Sequence, residues 1–115
     1  MNRREVLAAA LARLAPRLPD FETEAVIDRA LASPGLRNAR PDTAVWLALV
    51  AYARHVFTEY DALLDEGYDR DSARHFVLDD LNAVLAEWGS RRQVSDAETV
   101  DESGDPEESA EPEES

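Results

Sequence analysis

The chain has 115 residues, of which 25 are acidic, 12 are basic and none is cysteine, and this length allows one domain at most. The lack of cysteine excludes a disulfide framework, a thiolate nucleophile and a cysteine-rich zinc site. A folded part of about 90 residues buries roughly 60 to 65% of its unfolded surface, which leaves little room for a deep enzyme cleft.

The first segment predicts an amphipathic helix. Asn2 is a suitable cap, Glu5 lies three residues later, and Pro16 and Pro19 end the helix. Glu5 and Arg13 interrupt the apolar run, so we expect a helix of the folded domain here and no export signal. The apolar stripe of this helix comprises Val6, Leu7, Ala10, Leu11 and Leu14.

A second helix is predicted to follow, with Asp20 as its cap and residues 33–35 as its breaker. Because the connection between them is short, we expect the first two helices to be antiparallel. The second apolar stripe comprises Phe21, Ala25, Val26, Ile27, Ala30 and Leu31.

The third helix is predicted to be the central one. Pro41 suits the first helical position, and Asp42 puts a negative charge in the first turn. Residues 44–53, which include Trp46, are apolar on nearly every side, so the other helices should pack around them. Ten apolar residues are too few to span a bilayer, which needs about 20, and we therefore expect no membrane association and a cytoplasmic location.

Residues 54–89 predict a helical hairpin. The central helix is expected to continue through a stripe of Tyr52, Val56, Tyr60 and Leu63 and to end at Gly67 in a left-handed conformation. Asp69 or Asp71 would cap the last helix, which ends at Gly89. The apolar face of that helix comprises Ala73, Phe76, Val77, Leu81, Val84, Leu85 and Trp88.

No strand pattern competes with these helices, so the predicted fold is all-α, a compact bundle of four to five helices that ends in a hairpin. An antiparallel hairpin would bring Arg70 or Arg74 near Asp61 or Asp65. Residues 1–94 would form the helical domain.

The hairpin also carries a recognisable motif. Residues 44–88 resemble the domain of unknown function family 2293, and the resemblance implies that the Arg-His-Thr-Tyr-Asp set belongs together. The family has no assigned activity, so the resemblance implies no function. The matching positions are Arg54, His55, Thr58, Tyr60, Asp61, Leu63, Leu64, Gly67, Arg70, Ala73, Arg74 and Trp88.

Catalysis by this motif is not expected. In a continuous helix His55 and Asp61 lie about 240° apart, so Glu59 is the easier partner of His55; only a helix break at Thr58 would let His55 meet Asp61. No serine, cysteine or lysine nucleophile is associated with the histidine, and the chain has no glycine-rich phosphate loop. We therefore expect a protein that is not an enzyme.

A metal or cofactor site is not expected either. His55 with Glu59 and His75 with Asp79 are spaced like metal ligands on one helix side. The Glu-x-x-His pattern of di-iron bundles is missing, however. We predict neither a metal nor a cofactor.

Two binding functions remain. The first is a non-enzymatic module that binds another protein through Arg54, His55, Thr58, Tyr60, Asp61, Arg70 and Arg74. The second is a nucleic-acid-associated protein with an arginine patch formed by Arg37, Arg40, Arg54, Arg91 and Arg92. The sequence identifies neither the partner nor the oligomeric state.

Residues 95–115 contain ten acids and no base, which predicts a disordered acidic tail. Two interpretations of the tail stay open. It either keeps the protein soluble without a specific partner, or acts as an anionic arm that binds a basic partner or screens the domain's own arginines.

Overall fold

A computed structural model of the chain describes residues 1–95, and within this range all regular secondary structure is helical. The predicted disordered tail lies outside the described residues, apart from Ser95. A short 3-10 turn at Pro34–Leu36 separates the second and third helices. The helices are α1 (Arg3–Leu14), α2 (Asp20–Ala32), α3 (Pro41–Phe57), α4 (Tyr60–Asp65) and α5 (Arg70–Glu87).

The starts of most helices follow the local sequence signals. Asn2 and Glu5 form a reciprocal capping box at the start of α1, and Pro41 occupies the first position of α3. Asp69 caps α5 by accepting a hydrogen bond from the Ser72 amide at 2.8 Å. This bond lowers the pKa of the Asp69 carboxyl because it favours the ionised form.

The predicted cap of α2 is wrong by one residue. Pro19 is the residue before the helix, and Asp20 is the first helical residue, with no side-chain hydrogen bond at this cap. The acidic side chain still lies in the first turn, where the helix dipole favours it.

The third helix is the centre of the bundle, as predicted. It packs against α1, α2 and α5, and every residue from Ala44 to Arg54 except Leu47 is buried. A helix that is apolar on all sides has no solvent face, so its neighbours must cover it. The largest fully buried side chains around it include Leu7, Leu11, Ile27, Leu36, Leu49, Leu81 and Leu85.

A cluster of aromatic side chains joins α3 to α5. Tyr52 stacks on Trp88 with ring centroids 6.4 Å apart, and Phe57 contacts Trp88 edge to face at 5.3 Å. The Tyr52 hydroxyl donates a hydrogen bond to Glu22 of α2. Burial, together with this carboxylate, raises the pKa of Tyr52 to about 12. The cluster therefore fixes the relative positions of α2, α3 and α5.

The prediction of one helix from Pro41 to Gly67 is wrong, because the chain breaks at Thr58. The third helix ends at Phe57, and Thr58 has an extended backbone with φ −132° and ψ 174°. Its hydroxyl donates to the Arg54 carbonyl and accepts from the Tyr60 amide at 3.2 Å. One side chain thus satisfies backbone groups at the end of α3 and at the start of α4.

Four apolar residues that were predicted on core stripes are exposed: Phe21 by 77%, Leu31 by 38%, Val56 by 55% and Phe76 by 60%. The buried positions of α2 are Val26, Ile27 and Ala30, and helical spacing puts Phe21 about 120° to 180° away from them. Val56 lies in the last turn before the break, so it no longer shares a face with residues of α4. The buried faces are therefore narrower than the apolar residues of the sequence suggest.

The chain turns sharply after α5 and packs back on the domain. Gly89 has φ +93°, and a Cβ there would lie 3.0 Å from the Pro16 ring, so this turn favours glycine. Val94 is buried, and both of its backbone groups are hydrogen bonded to the side chain of Asn82. None of the helices within residues 1–95 is long and apolar enough to cross a membrane.

Candidate functional site

The motif residues Arg54 and Tyr60 lie inside the domain. Each is only 3% exposed, and the Arg54 guanidinium lies 5.6 Å from the centre of the Tyr60 ring, within the range of a cation–π contact. Tyr60 packs with Ala73 and Val77 in a small second core between α4 and α5. These two side chains are therefore positioned to hold α4 and α5 against the end of α3, and they offer a partner almost no surface.

The histidine of the motif pairs with Asp61, and the predicted pairing with Glu59 is not the one observed. His55 Nδ1 and Asp61 Oδ1 are 2.6 Å apart, and the His55 ring contacts Tyr60 edge to face at 5.2 Å. The break at Thr58 allows this contact, because it turns α4 away from the direction of α3. The sequence showed that only a helix break at Thr58 would allow this contact, but it did not show that the break exists.

The His55–Asp61 pair is accessible on its acidic side. Asp61 exposes 59% of its side chain and His55 exposes 32%. A carboxylate orients an imidazole in many acid–base sites, and here the same contact also ties the last turn of α3 to the first turn of α4. Within residues 1–95 no group of three or more histidine, aspartate or glutamate side chains is placed to hold a metal ion.

The two motif arginines of α5 differ in exposure. Arg70, the first residue of α5, is exposed. The Arg74 side chain is only 13% exposed and lies 3.8 Å from Asp71 on the same helix. Proximity of these arginines to Asp61 or Asp65 stays a prediction. Of the seven predicted contact residues, His55, Asp61 and Arg70 therefore offer the most surface. Arg54 and Tyr60 are buried and hold the surrounding residues in position.

An exposed aromatic cluster was missed by the sequence reasoning. Tyr68 and Phe76 contact each other edge to face with centroids 5.4 Å apart, and the His75 ring lies 6.2 Å from Phe76. Tyr68 is 41% exposed and Phe76 is 60% exposed. We call these three residues the aromatic face. The available signal was Tyr68, an aromatic residue in the polar turn between two helices, where it belongs to no apolar stripe.

The surroundings of the aromatic face are strongly acidic. Residues 59–87 contain nine acids and two arginines, and all nine acids are exposed. Residues 1–58 contain six acids and eight arginines. The negative charge of the described domain is therefore concentrated on the α4–α5 hairpin.

The predicted arginine patch is not assembled as expected. Arg54 is buried near the end of α3, and Arg40 precedes the start of this helix, about 20 Å away at the rise of an α-helix. Arg91 and Arg92 instead lie with Arg13 of α1 around a surface cleft. These three arginines form a basic surface between α1 and the segment after α5.

The comparisons with known proteins give one match. The family described as "Uncharacterized conserved protein (DUF2293)" matches residues 10–89, which covers the end of α1, all of α2 to α5 and the turn at Gly89. The match begins well before residue 44, where the resemblance seen in the sequence began. Neither the curated proteins nor the solved structures contain a significant match. The chain belongs to the DUF2293 family.

Proposed function

We propose that this protein is a non-enzymatic helical module that binds another protein through the aromatic face of its α4–α5 hairpin. The observation that supports the proposal is the exposed edge-to-face pair of Tyr68 and Phe76. Exposed aromatic side chains cost solvation free energy in the free protein, and aromatic residues are enriched among the residues that dominate binding energy at interfaces.

The charge around the aromatic face defines the kind of partner. Nine exposed acids on residues 59–87 favour a partner with a basic surface around an apolar pocket. Complementary charge speeds association and excludes acidic competitors. We therefore expect the association rate to fall as the salt concentration rises.

The motif at the α3–α4 break supports the aromatic face indirectly. Arg54, Thr58 and Tyr60 set the direction of α4, and α4 leads into the turn that carries Tyr68. His55 and Asp61 add polar surface at the base of the hairpin. In this proposal the motif positions the hairpin, and the contact itself is made mainly by the aromatic face, in the cytoplasm.

The test is quantitative capture from the native cell with three full-length baits: the natural chain, Phe76→Ala and Phe21→Ala. Phe21 is a matched control because it is also an exposed phenylalanine, 77% exposed, but lies on α2. We expect one or more proteins to be retained by the natural chain and by Phe21→Ala and lost from Phe76→Ala. Retention of the same proteins by all three baits would contradict the proposal.

The alternative function, association with nucleic acid, is favoured by the arginines around the cleft, Arg13, Arg91 and Arg92. Its test uses the full-length chain with the ten acids of residues 96–115 changed to the corresponding amides. If this variant binds DNA or RNA at low salt more tightly than the natural chain, the alternative gains support. Unchanged, weak binding would count against it.

A further inference from the structure

Two adjoining depressions form a cleft between α1, the start of α3 and the segment after α5. Their volumes are about 240 Å³ and 390 Å³, and they share Arg13, Leu14 and Arg92 as lining residues. Val45 and Trp46 add apolar surface to the first depression, and Pro16 to the second. The cleft thus combines an apolar floor with basic walls, which suits an anionic chain with a few apolar atoms.

One arginine of the cleft, Arg92, is held in place. The Arg92 guanidinium lies 4.2 Å from the centre of the Trp46 ring, and the Ser90 hydroxyl bonds to both the carbonyl and the amide of Arg92. A guanidinium stacked on an aromatic ring keeps its in-plane donors directed outward for a carboxylate.

The negative charge of the cleft is small compared with its positive charge. Asp42 is the one acid among the lining residues, and it lies 3.4 Å from Arg13. Both side chains of this pair are mostly exposed, Arg13 by 69% and Asp42 by 82%, so the pair is weak. Three arginines, Arg13, Arg91 and Arg92, therefore face a single weakly held carboxylate.

The chain itself supplies a complementary segment at a short distance. Val94 is fixed by its two hydrogen bonds to Asn82, and residue 96 is four residues from Arg92, at most about 14 Å along an extended chain. From this point residues 96–115 carry ten acids and no base.

We propose that residues 96–115 bind in the cleft of their own chain, with carboxylates on Arg13, Arg91 and Arg92. Because the segment is covalently attached, its effective concentration at the cleft is on the order of millimolar. A dissociation constant of about 0.1 mM for the segment is therefore enough to keep the cleft occupied about nine-tenths of the time and to compete with other anionic chains. This function is separate from the aromatic face, so either proposal can fail without the other.

The location of the segment can be measured on the full-length chain by paramagnetic relaxation enhancement. The sequence has no cysteine, so Ser109→Cys gives a single attachment site for a nitroxide. We expect loss of the Trp46 indole and Arg92 amide signals at low salt, with the Phe76 amide signal preserved. The same label on a chain whose ten tail acids are changed to the corresponding amides should leave all these signals intact.

Equal signal loss at the cleft and at Phe76 would overturn the proposal, as would a loss at the cleft that persists after the tail acids are neutralised. Arg91→Ser supplies a second test that does not disturb the Arg92–Trp46 stack. It should restore part of the lost Trp46 signal. No recovery in this variant and in Arg13→Ser would also contradict the proposed contacts.

A competition experiment measures how much of the time the attached segment occupies the cleft. A polyglutamate probe should bind the chain with neutralised tail acids about tenfold more tightly than the natural chain, if the attached segment occupies the cleft about nine-tenths of the time. The affinity should return to a low value when Arg13→Ser and Arg91→Ser are added. Equal affinity of the natural and neutralised chains would show that the segment does not occupy the cleft.

Discussion

The break between α3 and α4 depends on one hydroxyl, so Thr58→Val is the most informative single substitution. Valine keeps the branched shape of threonine but can neither donate to the Arg54 carbonyl nor accept from the Tyr60 amide. Each of these bonds contributes about 0.5 to 1.5 kcal/mol net. We therefore expect the free energy of unfolding to fall by about 2 kcal/mol, which lowers Tm by about 10 °C in a domain of this size.

The assay is urea denaturation followed by tryptophan fluorescence and circular dichroism, with Thr43→Val as the matched control. Thr43 lies in the first turn of the same helix and is exposed, so its substitution should change the free energy of unfolding by less than about 0.5 kcal/mol. Equal stability of the two variants would refute the role of the hydroxyl. A second readout is the distance between the His55 and Asp61 side chains, which would increase if the helix became continuous.

Three further predictions concern stability. The pKa of buried Tyr52 is raised to about 12, so the folded state holds this proton more tightly than the unfolded state, whose phenol titrates near 10. The resulting stabilisation is full below about pH 10 and is lost between about pH 10 and 12. Tyr52→Phe should therefore reduce the fall in the free energy of unfolding over this pH range, as measured by denaturation at a series of pH values. The lowered pKa of Asp69 gives the opposite sign: its stabilisation is present above the ordinary carboxyl pKa and is lost as the pH falls through the folded-state value, so Asp69→Ala should lower Tm at neutral pH and reduce the acid-side change. Gly89→Ala should destabilise more than Gly67→Ala, because both have positive φ but only Gly89 has the Pro16 ring within 4 Å; equal losses in chemical denaturation would show that the close approach to Pro16 does not matter.

Much of the fold was predictable because its signals are local. Asn2 with Glu5 specifies the start of α1, Pro41 the start of α3, and the glycines at positions 67 and 89 the helix ends with positive φ. Each of these signals depends only on residues within a few positions of the helix end. The central position of α3 was equally predictable, since an apolar surface on all sides leaves no other place for it.

The break at Thr58 could not be predicted in the same way. Threonine costs at most about 0.7 kcal/mol relative to alanine in a helix, and the apolar pattern around it continues without interruption. The hydroxyl takes part in two hydrogen bonds to backbone groups. A threonine can donate to the carbonyl four residues earlier even within a helix, so the bond to Arg54 does not by itself indicate a break, and the Tyr60 amide becomes available to the hydroxyl only after the helix has ended. Because the break could not be predicted, the contact between His55 and Asp61, which depends on it, could not be predicted either.

The candidate site was only partly predictable because the sequence does not show which side chains are buried. Arg54 was expected to contact a partner, but it is 3% exposed and lies against Tyr60. Phe76 was expected in the core, but it is 60% exposed and contacts Tyr68. In both cases the residue type favoured one environment, and the packing of α4 on α5 imposed the other.

The most direct test of the central proposal is the dissociation constant of a captured partner, measured by calorimetry with the natural chain, Phe76→Ala and Phe21→Ala. An aromatic side chain that dominates an interface contributes at least about 2 kcal/mol on truncation. We therefore predict about 30-fold weaker binding by Phe76→Ala and unchanged binding by Phe21→Ala. Equal dissociation constants for all three chains would contradict the assignment of the aromatic face as the binding surface.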